Sequence, residues 1–191
     1  MNQPWSRIFK QPPTVKTVVS WLSLFFIFNI TLTWASNADV EVYFSPNGGA
    51  TDAVVAEINH AQRKVLVQAY SFTSAPIASA LVAAQRRGLK IEAILDKTNL
   101  KESYSSMTFL EHGGVPVYID DQVKIAHSKI IIIDDSEVIT GSFNFTKAAE
   151  TRNTENLLIL KDDPVLTAKY LKNYNWRLSL SFRPNVTPLL R

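Results

Sequence analysis

From Asp39 onward, short β-branched and apolar runs alternate with amphipathic stretches, and this alternation limits the possible folds more than any other feature of the chain. Val40–Phe44, Val65–Tyr70, Leu89–Leu95, Val115–Tyr118, Ile130–Ile133, Val138–Thr140 and Asn156–Leu160 read as strands. Between them lie helical signals. Thr51 or Asp52 is placed to cap a helix reaching Ala61, with Val54, Val55 and Ile58 on its inner stripe. Ser74 caps a second, with Pro76 in its first turn, Ile77, Leu81 and Val82 inward and Gly88 as its stop. Further helices are predicted over Glu102–His112, ended by Gly113 and Gly114, and over Pro164–Trp176, capped by Asp163. Strands alternating with helices predict an α/β domain, a mixed β-sheet flanked by helices.

Residues 39–191 read as a single domain, with 46% hydrophobic residues over the whole chain to furnish a core. What precedes them has the layout of a signal peptide over residues 1–38: a cationic start, an apolar run Val18–Ile30, and the small-residue segment Ala35-Ser36-Asn37-Ala38. Cleavage is expected after Ala38, which makes the domain periplasmic or secreted; the alternative is an uncleaved anchor, since Val18–Ala35 approaches a membrane-spanning length. The formal charge of +3 belongs to this leader. Of 20 basic side chains, Arg7, Lys10 and Lys16 lie in it, leaving 17 to match the 17 acids beyond it. Without cysteine, thiolate catalysis and cysteine-based zinc sites are excluded.

The chemistry concentrates between His127 and Asn144. Side chains two apart in a strand share a face, so His127 goes with Lys129, and Ser142 with Asn144. A hairpin turning at Asp135-Ser136 sets His127 opposite Asn144 and Lys129 opposite Ser142. Such a set suits a tetrahedral, anionic phosphoryl centre. Lys129 supplies a point charge, the Asn144 amide and Ser142 hydroxyl supply donors, and Gly141 permits close backbone approach. His127 is available as a neutral nucleophile near pH 7. Asp134 falls on the opposite face of a regular strand, which assigns it to structure or orientation before phosphate chemistry. Taken singly, each of these residues is an ordinary strand or loop residue; their spacing as a group is what points to a site.

The string His127-x-Lys129-x4-Asp134-x6-Gly141-Ser142-x-Asn144 resembles the HKD motif of the phospholipase D superfamily. The continuation Phe145–Glu150 and Arg152–Asn156 is similar to that superfamily's small single-motif bacterial endonucleases. The resemblance implies a phospholipase D-like fold and a catalytic set of His127, Lys129, Ser142, Asn144, Glu155 and Asp134. His127 is then the nucleophile forming a phosphohistidine, Lys129, Asn144 and Ser142 contact the substrate phosphate, and Ser142 and Glu155 orient the imidazole. A single motif implies a symmetric homodimer in which two His127 residues face each other, one protonating the leaving oxygen.

No cofactor or metal is expected. Only His60, His112 and His127 are present, and Lys129 repels a cation placed beside His127. The expected activity is metal-independent endonucleolytic cleavage of DNA, with RNA a further substrate, at low sequence specificity. Basic clusters at Arg86-Arg87-Lys90 and Lys97-Lys101 are the candidate backbone contacts. The alternative is a phospholipase D-type lipid hydrolase or phosphatidyl transferase, with Phe72, Phe143 and Phe145 at an apolar entrance; a noncatalytic envelope binding protein is the third reading.

Overall fold

The computed structural model describes residues 39–102 and 105–184, so the leader and its cleavage point lie outside the described residues. Among the described residues seven strands form one sheet: β1 (Asp39–Ser45), β2 (Lys64–Ala69), β3 (Lys90–Asp96), β4 (Val117–Asp120), β5 (Lys129–Ile133), β6 (Glu137–Gly141) and β7 (Glu155–Lys161). Their spatial order is β1-β7-β6-β5-β2-β3-β4. β2, β3 and β4 run parallel, and every other pairing is antiparallel, giving the mixed sheet the alternation predicts.

Helices α1 (Ala50–His60), α2 (Ala75–Arg86), α3 (Met107–His112) and α4 (Lys147–Thr151) contribute to the main core on one face. There Val54, Ile58, Ile77 and Leu81 meet Val67, Leu95, Ile131 and Ile159, all fully buried. α5 (Pro164–Leu180) lies on the other face, where Tyr174 packs with Leu66, Ile94 and Ile132. The four isoleucines of β5 are thus divided: Ile131 and Ile133 enter the main core, while Ile130 and Ile132 sit under α5. Coverage on both faces is why this strand is continuously apolar instead of alternating. Arg177 of α5 pairs with Asp120 of β4 in a buried, hydrogen-bonded ion pair that joins the helix to the sheet.

Several local expectations are corrected. Neither Thr51 nor Asp52 caps α1. Gly49 holds the N-cap position in the left-handed region, at φ 81°, and Glu150 supplies the acceptors, taking N–H bonds from Gly49 at 3.0 Å and Thr51 at 2.7 Å. The helix expected from Glu102 begins only at Met107, and a short 3-10 turn, Lys97–Leu100, precedes it. That turn is dictated by Asp96, whose carboxylate accepts from Thr98 N at 2.9 Å, a side-chain bond that competes with a continuous helix.

The β5–β6 hairpin differs by one residue from the predicted register. Ile130 faces Thr140, so Lys129 comes opposite Gly141 and not Ser142. The turn takes three residues, Asp134–Ser136, because Asp134 adopts φ 51° and its carboxylate gathers three backbone N–H groups. Those come from Gln62, Arg63 and Lys64, at 3.1, 2.8 and 3.0 Å, tying the hairpin to the start of β2.

Candidate active site

Antiparallel pairing brings the start of β5, the end of β6 and the start of β7 to one edge of the sheet, where β2 also ends. His127, Lys129, Ser142 and Glu155 all sit at this edge. Asp134 is at the far end of β5, roughly 16 Å of strand away from Lys129. It is not part of the cluster, and its hydrogen bonds are those of a structural anchor.

β5 is extended backward by Tyr70 N, which donates to Ser128 O at 2.9 Å, so the segment carrying His127 continues the ladder. The imidazole is exposed and lies against the Tyr70 ring, centroid to centroid 4.7 Å. Lys129 is buried at 6% exposure, and its ammonium donates to His127 O at 2.9 Å while standing 5.3 Å from the same Tyr70 ring. Burial pushes the Lys129 ammonium below the usual lysine range, and the Glu155 carboxylate partly opposes that shift.

The second half of the site is built by a bulge. Ser142 N and Phe143 N both donate to Asn156 O at 3.1 Å, two residues of one strand opposing one of its partner. Gly141 makes the bend feasible: its φ is 147°, and a Cβ there would meet Asn156 O at 2.3 Å. The bend re-aims Ser142, whose hydroxyl donates to Glu155 Oε2 at 2.6 Å and accepts from Asn156 N at 3.0 Å. Glu155 Oε1 accepts from Asn153 Nδ2 at 3.0 Å, and Ser45 Oγ accepts from Glu155 N and donates to Asn153 O. After the bulge, Phe143 and Phe145 are both buried in the main core, which removes them from the entrance the lipid alternative requires. Asn144 between them is half-buried, and its buried Oδ1 has no hydrogen-bond partner among the described residues.

Sequence reasoning did not single out Tyr70, Ser45 or Asn153. Asn153 falls in the Arg152–Asn156 continuation but was given no role there, while Tyr70 and Ser45 lie far from the motif and only the sheet topology joins them to it. A groove of about 470 Å³, lined in part by Thr73, Ser74 and Lys147, lies next to the site across Phe145, whose carbonyl accepts from Thr73 and Ser74. Among the described residues no three His, Asp or Glu side chains converge as a metal-binding set. One exposed imidazole, one buried ammonium and a hydroxyl–carboxylate pair stand at a single strand edge, an arrangement suited to transfer at an anionic phosphoryl centre.

Comparison with known proteins agrees. Residues 54–178 match the family described as "Cardiolipin synthase, PLD-like domain". A phospholipase D of Rickettsia conorii is 40% identical over 153 residues, spanning 80% of this chain and 76% of that protein. The mitochondrial cardiolipin hydrolase of Xenopus laevis is 31% identical over 125 residues, 65% of this chain and 59% of the relative. Among solved structures, Nuc of Salmonella typhimurium, a phospholipase D family member, superposes with a TM-score of 0.76 at 36% identity, covering 78% of this chain and all of that one. The fold and site define a phosphodiesterase-type hydrolase. The chain belongs to the phospholipase D superfamily.

Proposed function

We propose that the chain is a metal-independent endonuclease that cleaves DNA, and RNA secondarily, with little sequence specificity, through a phosphohistidine at His127. The observation that carries this reading is the pairing of an exposed imidazole with a buried ammonium against one aromatic ring, beside the Ser142–Glu155 pair. His127 attacks phosphorus, forming a P–N bond as the P–O bond to the leaving group breaks. Lys129, Ser142 and Asn144 take up charge on the phosphoryl oxygens. Water then displaces the imidazole and restores the enzyme.

The leaving oxygen needs a proton, which in this reading comes from His127 of a second copy. An apolar stripe supports such a dimer. Val40, Val42 and Phe44 are 51%, 50% and 64% exposed on the face of β1 turned away from α1, and they sit beside Leu158 and Leu160. The stripe ends at Ser45, which holds Glu155, so a partner covering it reaches the catalytic edge. Export to the periplasm or beyond rests on the leader sequence alone.

The nucleic-acid substrate is favoured by the resemblance to single-motif endonucleases and by the superposition on the whole of Nuc. The lipid reading is kept alive by relatives named phospholipase D and cardiolipin hydrolase. One assay separates them. The full chain and its His127→Ala variant are incubated, in chelator, with supercoiled plasmid and with vesicles of phosphatidylcholine or cardiolipin. Plasmid cleavage that falls at least about 10³-fold in the variant supports the nuclease. Headgroup release without plasmid cleavage replaces it with the lipase, and activity only on adding a divalent metal overturns the metal-free mechanism.

A further inference from the structure

Tyr70 follows the last residue of β2 at the catalytic edge, and its backbone is fixed on both sides. Its N–H donates to Ser128 O at 2.9 Å, and its carbonyl accepts from Asn99 Nδ2 at 2.6 Å. Asn99 is itself 1% exposed, donates also to Asp96 O, and accepts from Ser105 Oγ, so this support is rigid. The Tyr70 ring meets the His127 imidazole at 4.7 Å with a 54° tilt, and the Lys129 ammonium lies 5.3 Å from the same centroid. The hydrogen bond between Lys129 and His127 is accepted by the His127 carbonyl, not by its ring.

We propose that Tyr70 is a positioning residue whose ring holds the nucleophilic imidazole and the phosphate-binding ammonium in fixed relation to each other. The inference rests on the reading above that His127 attacks phosphorus. An exposed imidazole free to turn divides its time among rotamers, and only the fraction aimed at phosphorus reacts. An aromatic face removes that freedom, and it also attracts a cation lying over it. Both effects belong to the ring and not to the hydroxyl.

The test uses the full chain with bis(p-nitrophenyl) phosphate, a small diester that makes no demand on how DNA or lipid is held. Tyr70→Leu is expected to lower kcat about 10- to 100-fold with a smaller change in KM. Tyr70→Phe, which keeps the ring and loses the hydroxyl, is expected to stay within about threefold of the wild type. Ring-current displacement of the His127 ring protons, read by NMR, is expected in the wild type and Tyr70→Phe and absent in Tyr70→Leu. Wild-type kcat in Tyr70→Leu, or undisplaced His127 ring protons in the wild type itself, overturns the proposal; the second measurement stands even if the leucine variant does not fold. A fully active His127→Ala variant instead removes the underlying mechanism, so the two failures are told apart.

Discussion

Lys129 is held where a lysine is costly. Its ammonium is buried and lowered from its usual range by that burial, with a single hydrogen bond among the described residues, to a carbonyl. A residue kept for folding would not be charged there, whereas one kept for phosphate would. Lys129→Met is therefore expected to lower kcat/KM by roughly 10²- to 10³-fold while leaving the melting temperature unchanged or higher, as steady-state kinetics and thermal melting on one sample will show. Glu137 behaves in the opposite sense. Desolvation, with Glu57 and then Asp134 and Glu41 nearby, pushes its carboxyl up to about 7, against an opposing pull from Lys161. The folded state then binds the proton more tightly than the unfolded chain. This contribution to stability is full below the ordinary carboxylate value, is lost as pH rises toward 7, and changes little above that. Glu137→Gln should flatten that decline and raise stability at pH 8 by on the order of 1–3 kcal/mol, measured by urea unfolding across pH. That His127 and Lys129 come together was legible because their two-residue spacing in a strand puts both on one face. Tyr70 was not, since it lies 57 positions before His127 and only strand pairing joins them.

At the scale of elements, the site depends on two backbone devices that apolar periodicity does not encode. One is the bulge after Gly141. Gly141→Ala should abolish activity and cost several kcal/mol, because the new methyl collides with the Asn156 carbonyl at a φ that L-residues avoid; kinetics and denaturant unfolding check both. The other is the left-handed Asp134, which lengthens the turn and moves the register by one residue. The predicted two-residue turn followed from symmetry about Asp135-Ser136. It failed because the Asp134 carboxylate binds three N–H groups 70 to 72 residues upstream in sequence, a long-range contact with no local signature. The α1 cap was missed for the same reason: Glu150 reaches it from α4. Glu150→Ala should lower stability by about 1–2 kcal/mol in denaturant unfolding. By contrast, β2, β3, α2 and α5 were legible, because continuous burial in the two strands and one apolar face in each helix are set by their own sequence, with α5 continuing one turn beyond the expected end.

For the whole molecule, the sheet has one face closed by four helices and the other only partly closed by α5. The uncovered outer strands leave the Val40–Val42–Phe44 stripe in solvent, its Phe44 end next to Ser45 and the candidate site. If two copies complete the site there, Phe44→Asp should shift the chain to monomers in sedimentation velocity and remove turnover, leaving the fold intact by circular dichroism. A fully active monomer would detach the stripe from catalysis. Beneath these expectations lies the covalent step. Turnover quenched in alkali, which preserves phosphoramidate bonds, and followed by peptide mass spectrometry should place a substrate-derived phosphoryl group on His127 and on no other residue. Active enzyme quenched during turnover with His127 unmodified would contradict the account.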